Sequence, residues 1–325
     1  MDGQEIGSRT DLANLQRETK FMKFGMMVPH YHKFPSKKAI TEVAEKAEEL
    51  GYDSLWLADH IGVPPSTPTG LAEVFYEPLM VLSYLTAITN RVFLGTSVLI
   101  LPYRNPLFLA KAIATADQLS NGRVILGCGI GWLKEEFEAL GVPFKKRASL
   151  SNEYLRILKE VWTNDDPKFQ GKYFRFSDVK FLPRPVQKPH PPIWIGGMSE
   201  GAMQRAAEFG DGWHPIYLTP STAKPACQQF REMVLRKGRD PEKIPIVLRV
   251  ALQIHKKPEP HSGKYPLVGP VSQILENIQK YREAGIDYLV FDLFRGGPEL
   301  NSETLDGILV TMEEFARDIR PQILS

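Results

Sequence analysis

Asp59-His60 is the first pair in this sequence whose side chains suit acid–base chemistry. An imidazole gives or takes a proton near neutral pH, and a carboxylate beside it can orient the ring or balance its charge. The pair directly follows Ser54 to Ala58, an apolar segment typical of a buried strand. Because the active sites of parallel barrels lie where strands end, we expect His60 to donate or accept a proton. The alternative is a histidine that only hydrogen-bonds its own loop.

Two glycine-rich segments also follow apolar runs. The first is Gly127-Cys128-Gly129-Ile130-Gly131, and the second is Gly196-Gly197-Met198-Ser199. Glycine at a strand end lets another group approach the backbone closely, and we interpret that group as a flat cofactor, with simple packing as the alternative. The first segment has the wrong spacing for a dinucleotide fingerprint. The second opens a helix, where backbone N–H groups and a serine hydroxyl favour phosphate binding over plain N-capping.

Other basic residues surround these segments. His30, Arg104 and His214 fall at or just past predicted strand ends. Each alone is more often a structural loop residue, but together they indicate a polar rim. The segment from 255 to 264 is basic. Such a run is usually only solvated, but here it could meet an anionic cofactor tail.

Three glutamates and one cysteine are assigned no chemistry. Glu135, Glu136 and Glu138 have the spacing of a solvated helix face. Cys128 has no base close to it in the sequence, so we do not expect a catalytic thiol. No His, Asp or Glu cluster has ligand-like spacing, so no metal site is expected.

The elements that must position these residues alternate between strand and helix. Asn105-Pro106 begins a helix and Asn121-Gly122 ends it, between two apolar runs that form a βαβ unit. The predicted strands are 23–29, 54–58, 92–99, 124–126, 193–195, 212–216, 246–252 and 288–293. Eight parallel strands close a barrel, and glycine-rich ends recur in several units, so we predict an α/β fold, a (β/α)8 TIM barrel with insertions.

The barrel is predicted to be a single domain over residues 23–325, after an N-terminal extension, 1–22. Insertions are expected near 61–76, 164–191 and 255–268, with a small hairpin at 172–176. A long helical region after Trp132 is expected to break near residues 141–143.

Composition excludes several classes of protein. The chain has 325 residues, 40 Lys and Arg against 38 Asp and Glu, and a net charge of +2, so no nucleic-acid partner is expected. Two cysteines allow at most one disulfide, which favours a reducing cytoplasm. No apolar run is long enough for a membrane span, and the N-terminus lacks a signal-peptide pattern.

The sequence resembles the bacterial luciferase-like monooxygenase family, within it the branch that uses the deazaflavin coenzyme F420. The matching segments are LWLADHI at 55–61, the run at 91–132, EEFEALGVPFKKR at 135–147 and PRPVQKPHPPIWIGGMSEGAMQRAAEFGDGW at 183–213. The resemblance implies a TIM barrel, usually a homodimer, that binds F420, with FMN as the alternative.

The resemblance also implies roles for single residues, with His60 as the active-site histidine. The implied cofactor contacts are Asp59 facing the ring, Ser97 and Val98 behind it at a non-prolyl cis peptide, Ile130, Gly131 and Trp132 at its edge, and Gly196, Gly197, Met198 and Ser199 along the ribityl chain and phosphate. Sugar-phosphate dehydrogenases of this family have a catalytic glutamate where this chain has Trp132. We therefore do not expect sugar-phosphate oxidation.

The hypothesis that follows is hydride transfer between F420 and a small organic substrate. One alternative is an FMN-dependent monooxygenase that works with a flavin reductase partner. A second is a non-catalytic flavin-binding protein, in which the substrate mouth would be closed. A third and weaker alternative is a cofactor-free barrel isomerase, which would bind neither cofactor.

Overall fold

The computed structural model describes residues 22–32, 35–65, 67, 74–256, 265–293 and 304–324. Nearly all of the predicted N-terminal extension, part of the 61–76 insertion and most of the basic segment 255–264 therefore lie outside the described residues.

Parallel strands form the centre of the molecule. They are β1 (Lys23–Met27), β2 (Ser54–Leu57), β3 (Phe93–Thr96), β4 (Leu99–Ile100), β5 (Val124–Gly129), β8 (Ile193–Gly196), β9 (Gly212–His214), β10 (Val247–Ile254), β11 (Leu267–Gly269) and β12 (Tyr288–Asp292), with β6 (Phe169–Gln170) and β7 (Arg175–Phe176) forming a separate antiparallel hairpin. The sheet order is β11-β10-β12-β1-β2-β3-β5-β8-β9, and β4 pairs with β5.

Two parallel bridges close this sheet into a ring. Trp213 pairs with Ile246 and Ile216 pairs with Arg249, which joins β9 to β10. The ring consists of eight strands, β1, β2, β3, β5, β8, β9, β10 and β12, with β11 added beside β10. The predicted TIM barrel is confirmed.

Helices cover the outside of the barrel. They are α1 (Lys37–Glu49), α2 (Pro78–Ile88), α3 (Pro106–Leu119), α4 (Lys134–Ala139), α5 (Arg147–Thr163), α6 (Glu200–Phe209), α7 (Pro220–Arg236), α8 (Val271–Glu283), α9 (Leu305–Glu314) and α10 (Arg320–Leu324), with a π-helical turn at Phe315–Ile319. Because helices shield the outer face, the strands are apolar on both faces, and all six residues of β5 are buried. None of the helices in the described ranges has the length and apolar character needed to cross a membrane.

The local helix signals act as predicted. Oδ1 of Asn105 accepts the backbone N–H of Leu107 at 2.9 Å, with Pro106 as the first residue of α3. Asn121 and Gly122 have φ values of 56° and 82°, which end that helix. The helical region after Trp132 is broken between α4 and α5, as expected.

One predicted strand is interrupted. Within the predicted strand 92–99, β3 ends at Thr96 and β4 begins at Leu99. The peptide bond between Ser97 and Val98 is cis, as the resemblance implied.

Candidate active site

A cavity of about 380 Å³ lies where the barrel strands end. All of the predicted site residues line it: Asp59, His60, Ser97, Val98, Ile130, Gly131, Trp132, Gly196, Gly197, Met198 and Ser199. Its volume is within the range of about 300–1,000 Å³ that is usual for ligand pockets. The structure thus brings the whole predicted set together, while what these residues bind stays a prediction.

His60 is held by a buried carboxylate. Its Nδ1 lies 3.0 Å from Oε2 of Glu136. The same carboxylate accepts the hydroxyl of Tyr103 at 2.7 Å, the backbone N–H of Gly62 at 3.0 Å and the backbone N–H of Ile61. Burial raises the pKa of Glu136, but these four hydrogen bonds outweigh that effect and lower it overall.

The tautomer of His60 follows from this contact. Because an ionised carboxylate can only accept, Nδ1 of His60 carries the hydrogen that it donates to Glu136. In the neutral imidazole Nε2 is then the basic nitrogen, and it can exchange a proton with a ligand in the cavity. This is the arrangement that orients a catalytic histidine in other acid–base sites.

The prediction that Glu136 belongs to a solvated helix face was wrong. Its side chain is 1% exposed, whereas Glu135 and Glu138 on the same helix are exposed. The short helix α4 packs Glu136 and Phe137 inward, beneath the loop that follows β2. Glu136 and His60 are 76 residues apart, and no local pattern links them.

Asp59 forms an ion pair with Arg104. Its carboxylate accepts two hydrogen bonds from Arg104, at 2.6 and 2.9 Å, and the backbone N–H of Ile100 at 2.8 Å. Burial raises the pKa of Asp59, and the guanidinium of Arg104 opposes that shift. Arg104 is half-buried and also pairs with Glu77 at 2.6 Å. This carboxylate therefore fixes the segment after β4, and its contact with a cofactor stays a prediction.

His214 and Arg249 hold Ser97 from two sides. Nδ1 of His214 donates to the carbonyl of Val247 at 2.6 Å, so its Nε2 accepts the hydroxyl of Ser97 at 2.8 Å. Arg249 donates to the carbonyl of Ser97 at 2.7 Å and pairs with Asp292. Burial lowers the pKa of His214 to about 4, so the ring is neutral at pH 7.

The predicted polar rim was therefore wrong for both histidines. His30 is fully buried; its two ring nitrogens lie 2.9 Å from the carbonyl oxygens of Val28 and Ala58. Burial lowers its pKa to about 4. His214 is 1% exposed, although it still lines the cavity. Both rings are buried and contact backbone carbonyls, those of Val28 and Ala58 for His30 and that of Val247 for His214.

The glycines at the strand ends make room for the protein itself. A Cβ on Gly129 would lie 2.9 Å from a methyl group of Val98, and one on Gly196 would lie 2.7 Å from the other. The side chain of Val98 fills this space and lines the cavity. Gly129 and Gly196 therefore make room for the side chain of Val98, which is the packing role given above as the alternative. A cofactor would contact Val98 rather than the backbone of these glycines.

The second glycine segment does cap a helix. Oγ of Ser199 accepts the backbone N–H of Ala202 at 3.2 Å, and Gly197 has a φ of +118° that favours glycine. Ser199 therefore caps α6, as the alternative interpretation predicted. Ser199 and Ala202 at the start of α6 line the cavity, and the N-terminus of a helix stabilises a negative charge nearby.

Arg147 is a lining residue that the sequence interpretation missed. Its guanidinium donates to the carbonyls of Gly131 at 3.3 Å and Phe144 at 3.1 Å, and lies 3.8 Å from the centroid of the Phe144 ring. These partners carry no charge. Together with the start of α6, Arg147 can therefore bind an anionic group.

Two other expectations concern reactive groups. Cys128 is fully buried, and burial raises the pKa of its thiol to about 12, so the thiol stays protonated and is a poor nucleophile. Within the described part of the chain, no three His, Cys, Asp or Glu side chains are grouped as a metal site requires.

Comparison with known proteins places this geometry in context. The sequence model of the luciferase-like monooxygenase family matches residues 22–265. An F420-dependent glucose-6-phosphate dehydrogenase of Amycolatopsis mediterranei is 36% identical over 181 residues, which cover 54% of this chain and 52% of that protein. An FMNH2-dependent dimethylsulfone monooxygenase of Pseudomonas putida is 36% identical over 142 residues, covering 43% and 39%.

A solved structure supports the fold independently. A monooxygenase from Streptomyces bottropensis superposes with a TM-score of 0.78 at 20% identity, covering 93% of this chain and 99% of that one. At this identity the likeness concerns the fold alone.

Proposed function

Because the chain belongs to the luciferase-like monooxygenase family, we propose that it is an oxidoreductase that transfers a hydride between coenzyme F420 and a small organic substrate. The observation that carries the proposal is His60, held by Glu136 at 3.0 Å with its other ring nitrogen available in an open cavity. The similarity to an F420-dependent dehydrogenase supports the choice of cofactor.

The residues that line the cavity fit a flat, anionic cofactor. Val98 offers an apolar surface for a ring, and Arg147 and the first turn of α6 offer positive charge for a phosphate. When bound, a deazaflavin supplies a ring carbon that gives or takes a hydride. The protein would hold the cofactor ring and the substrate next to each other, in the orientation that hydride transfer requires.

His60 would move the proton that accompanies the hydride. With Nδ1 donating to Glu136, the Nε2 atom can take a proton from a substrate hydroxyl or, once protonated, return it to a carbonyl oxygen. Glu136 stabilises the imidazolium that forms during this transfer. The rings of Phe75 and Trp132 lie beside that of His60, at centroid distances of 4.9 and 6.2 Å.

The second candidate is an FMN-dependent monooxygenase. It is favoured by the similarity to the dimethylsulfone enzyme, which is FMNH2-dependent. FMN supports oxygen activation, whereas a 5-deazaflavin lacks the nitrogen chemistry for it. In that case a flavin reductase would be the partner that supplies reduced FMN.

The non-catalytic alternative receives less support. It requires a closed mouth, whereas His60 and His214 both line a cavity of about 380 Å³. The proposal includes a homodimer, which the resemblance implies. It also includes a cytoplasmic location, which the low cysteine content favours.

Equilibrium titration of the apoprotein with F420 and with FMN, followed by cofactor fluorescence, tests the proposal. We expect F420 to bind more tightly than FMN. Arg147→Gln should weaken binding about tenfold, because a charge-assisted contact to the phosphate is lost. Arg156→Gln, an exposed arginine on the same helix, should leave the affinity unchanged. Tight FMN binding without F420 binding would favour the monooxygenase instead, and binding of neither would exclude both.

A further inference from the structure

Aromatic rings lie beside the imidazole of His60. The centroid of its ring lies 4.9 Å from that of Phe75 and 6.2 Å from that of Trp132. Phe75 in turn stacks on Tyr31 at 5.2 Å with an interplanar angle of 3°. All four rings line the cavity. The wall around the proton-transferring group is therefore aromatic.

Part of this wall is exposed to solvent although it is apolar. Trp132 is 57% exposed and Met198 is 38% exposed, and both line the cavity. A large apolar side chain that stays uncovered inside a concave site is typical of a ligand-binding surface. A ligand that covers the indole would recover this apolar area from water.

Of the three charged side chains among the described residues that line the cavity, two are paired within the protein. Asp59 is paired with Arg104, and Arg249 with Asp292. Glu136 accepts four hydrogen bonds from the protein, the one from His60 included. Among the described side chains that line the cavity, the cation of Arg147 has no acidic partner, and the proposed function assigns it to the cofactor phosphate.

We propose that the substrate is an uncharged, predominantly apolar molecule that packs against Trp132 and Phe75, with its reacting oxygen toward His60. A charged substrate would lose its hydration at this wall without gaining an opposite charge. The inference rests on the proposed function for the reaction, but the binding preference can be measured without turnover.

The test uses probes that share one skeleton and differ in charge. Cinnamyl alcohol is neutral, cinnamate is an anion and cinnamylamine is a cation at pH 7; glucose 6-phosphate serves as a polar, charged probe. Binding to the full chain is measured by saturation-transfer NMR. The protein is saturated with whichever cofactor the titration identifies, or with inorganic phosphate if neither binds, so that the anion site near Arg147 is filled.

We expect the alcohol to bind about tenfold more tightly than either charged analogue, because only the neutral group leaves water without needing a counter-charge. Trp132→Ala and Phe75→Leu should each weaken the alcohol about fivefold, since each removes aromatic contact area. Leu235→Ala removes an exposed apolar side chain outside the cavity and should have no effect.

Three outcomes would overturn the inference. They are equal or tighter binding of cinnamate, binding of glucose 6-phosphate in preference to the alcohol, and alcohol binding that is insensitive to both aromatic variants. Failure of the proposed function has a different signature, because it is the absence of cofactor binding in the preceding titration. The charge preference of the probes is then still measured with phosphate present.

Discussion

Glu136 determines which nitrogen of His60 is left free of a hydrogen bond to the carboxylate. The carboxylate accepts from Nδ1 at 3.0 Å, while Tyr103 and two backbone N–H groups fix the carboxylate itself. We regard Glu136 as a positioning residue, since it acts on the cavity through His60. Its effect can therefore be separated from that of the histidine.

We predict that Glu136→Gln removes the preference of His60 for the Nδ1–H tautomer, because a side-chain amide can also donate to this nitrogen. Nitrogen-15 NMR of labelled histidine measures the tautomer directly. Turnover should fall about 100-fold with little change in KM, since the defect concerns proton transfer rather than binding.

Glu138→Gln is the matched control, because Glu138 lies on the same short helix and pairs only with Lys134 among the described residues. It should leave both the tautomer and turnover unchanged. An unchanged His60 tautomer in Glu136→Gln would refute the positioning role.

His214 links stability to pH. Burial lowers its pKa to about 4 from an ordinary value of 6.5, so the unfolded chain binds this proton first as the pH falls. The stabilisation is complete above pH 6.5 and is lost toward pH 4, by up to about 3 kcal/mol. His30 acts in the same direction.

We predict that His214→Gln makes the free energy of unfolding depend less steeply on pH between 6.5 and 4, by about one bound proton. Urea unfolding at several pH values measures this slope. Parallel pH profiles for the wild type and the variant would contradict the account.

The sequence revealed those functional residues whose partners or signals are adjacent to them in the chain. Asp59-His60 could be read as a pair, and the glycine segments as strand ends. Glu136 was missed because its partner is 76 residues away, and the hydrogen bond between Ser97 and His214 was not foreseen because these residues are 117 apart. Only the closure of the barrel brings these groups together.

At the level of elements, the strand ends are set by contacts between neighbouring backbones. A Cβ on Gly127 would lie 1.8 Å from the carbonyl oxygen of Thr96, so β3 and β5 can approach only because this residue is glycine. The hydroxyl of Thr96 also donates to the carbonyl of Gly127 at 2.6 Å.

We predict that Gly127→Ala lowers the free energy of unfolding by about 3 kcal/mol, because a methyl group cannot fit without moving backbone. Gly201→Ala is the control: nothing lies within 4 Å of its Cβ, and alanine suits helix α6. The control should gain about 0.5–1 kcal/mol. Urea denaturation measures both, and equal stabilities would argue against backbone contact as the cause.

Helices were more predictable than strand ends. Caps such as Asn105 with Pro106 act within one turn and can be read locally. The break between β3 and β4 could not be derived from β-branched composition, because Val98 leaves the strand to fill the space above Gly129 and Gly196. That contact depends on three different strands.

For the whole molecule, the eightfold strand count and the glycine-rich ends were sufficient to predict the barrel. Oligomeric state is a property of the surface, for which the sequence offers only the resemblance. Met80 on α2 and Phe108 on α3 are large apolar residues with exposed side chains. Single exposed apolar side chains are common on monomers as well, so the dimer prediction rests on the resemblance.

We predict that the protein is a homodimer in solution. Light scattering coupled to size-exclusion chromatography should give twice the chain mass of 36.7 kDa. A mass equal to that of one chain at micromolar concentration would refute the dimer.

The ring of strands also constrains how the molecule is made. β1 lies between β2 and β12, so the strand at Lys23–Met27 pairs with one that is synthesised more than 250 residues later. During translation the nascent chain therefore holds an open sheet edge until Tyr288–Asp292 has left the ribosome, and such edges invite aggregation. The last strand of the ring therefore removes this edge only when nearly the whole chain has been made.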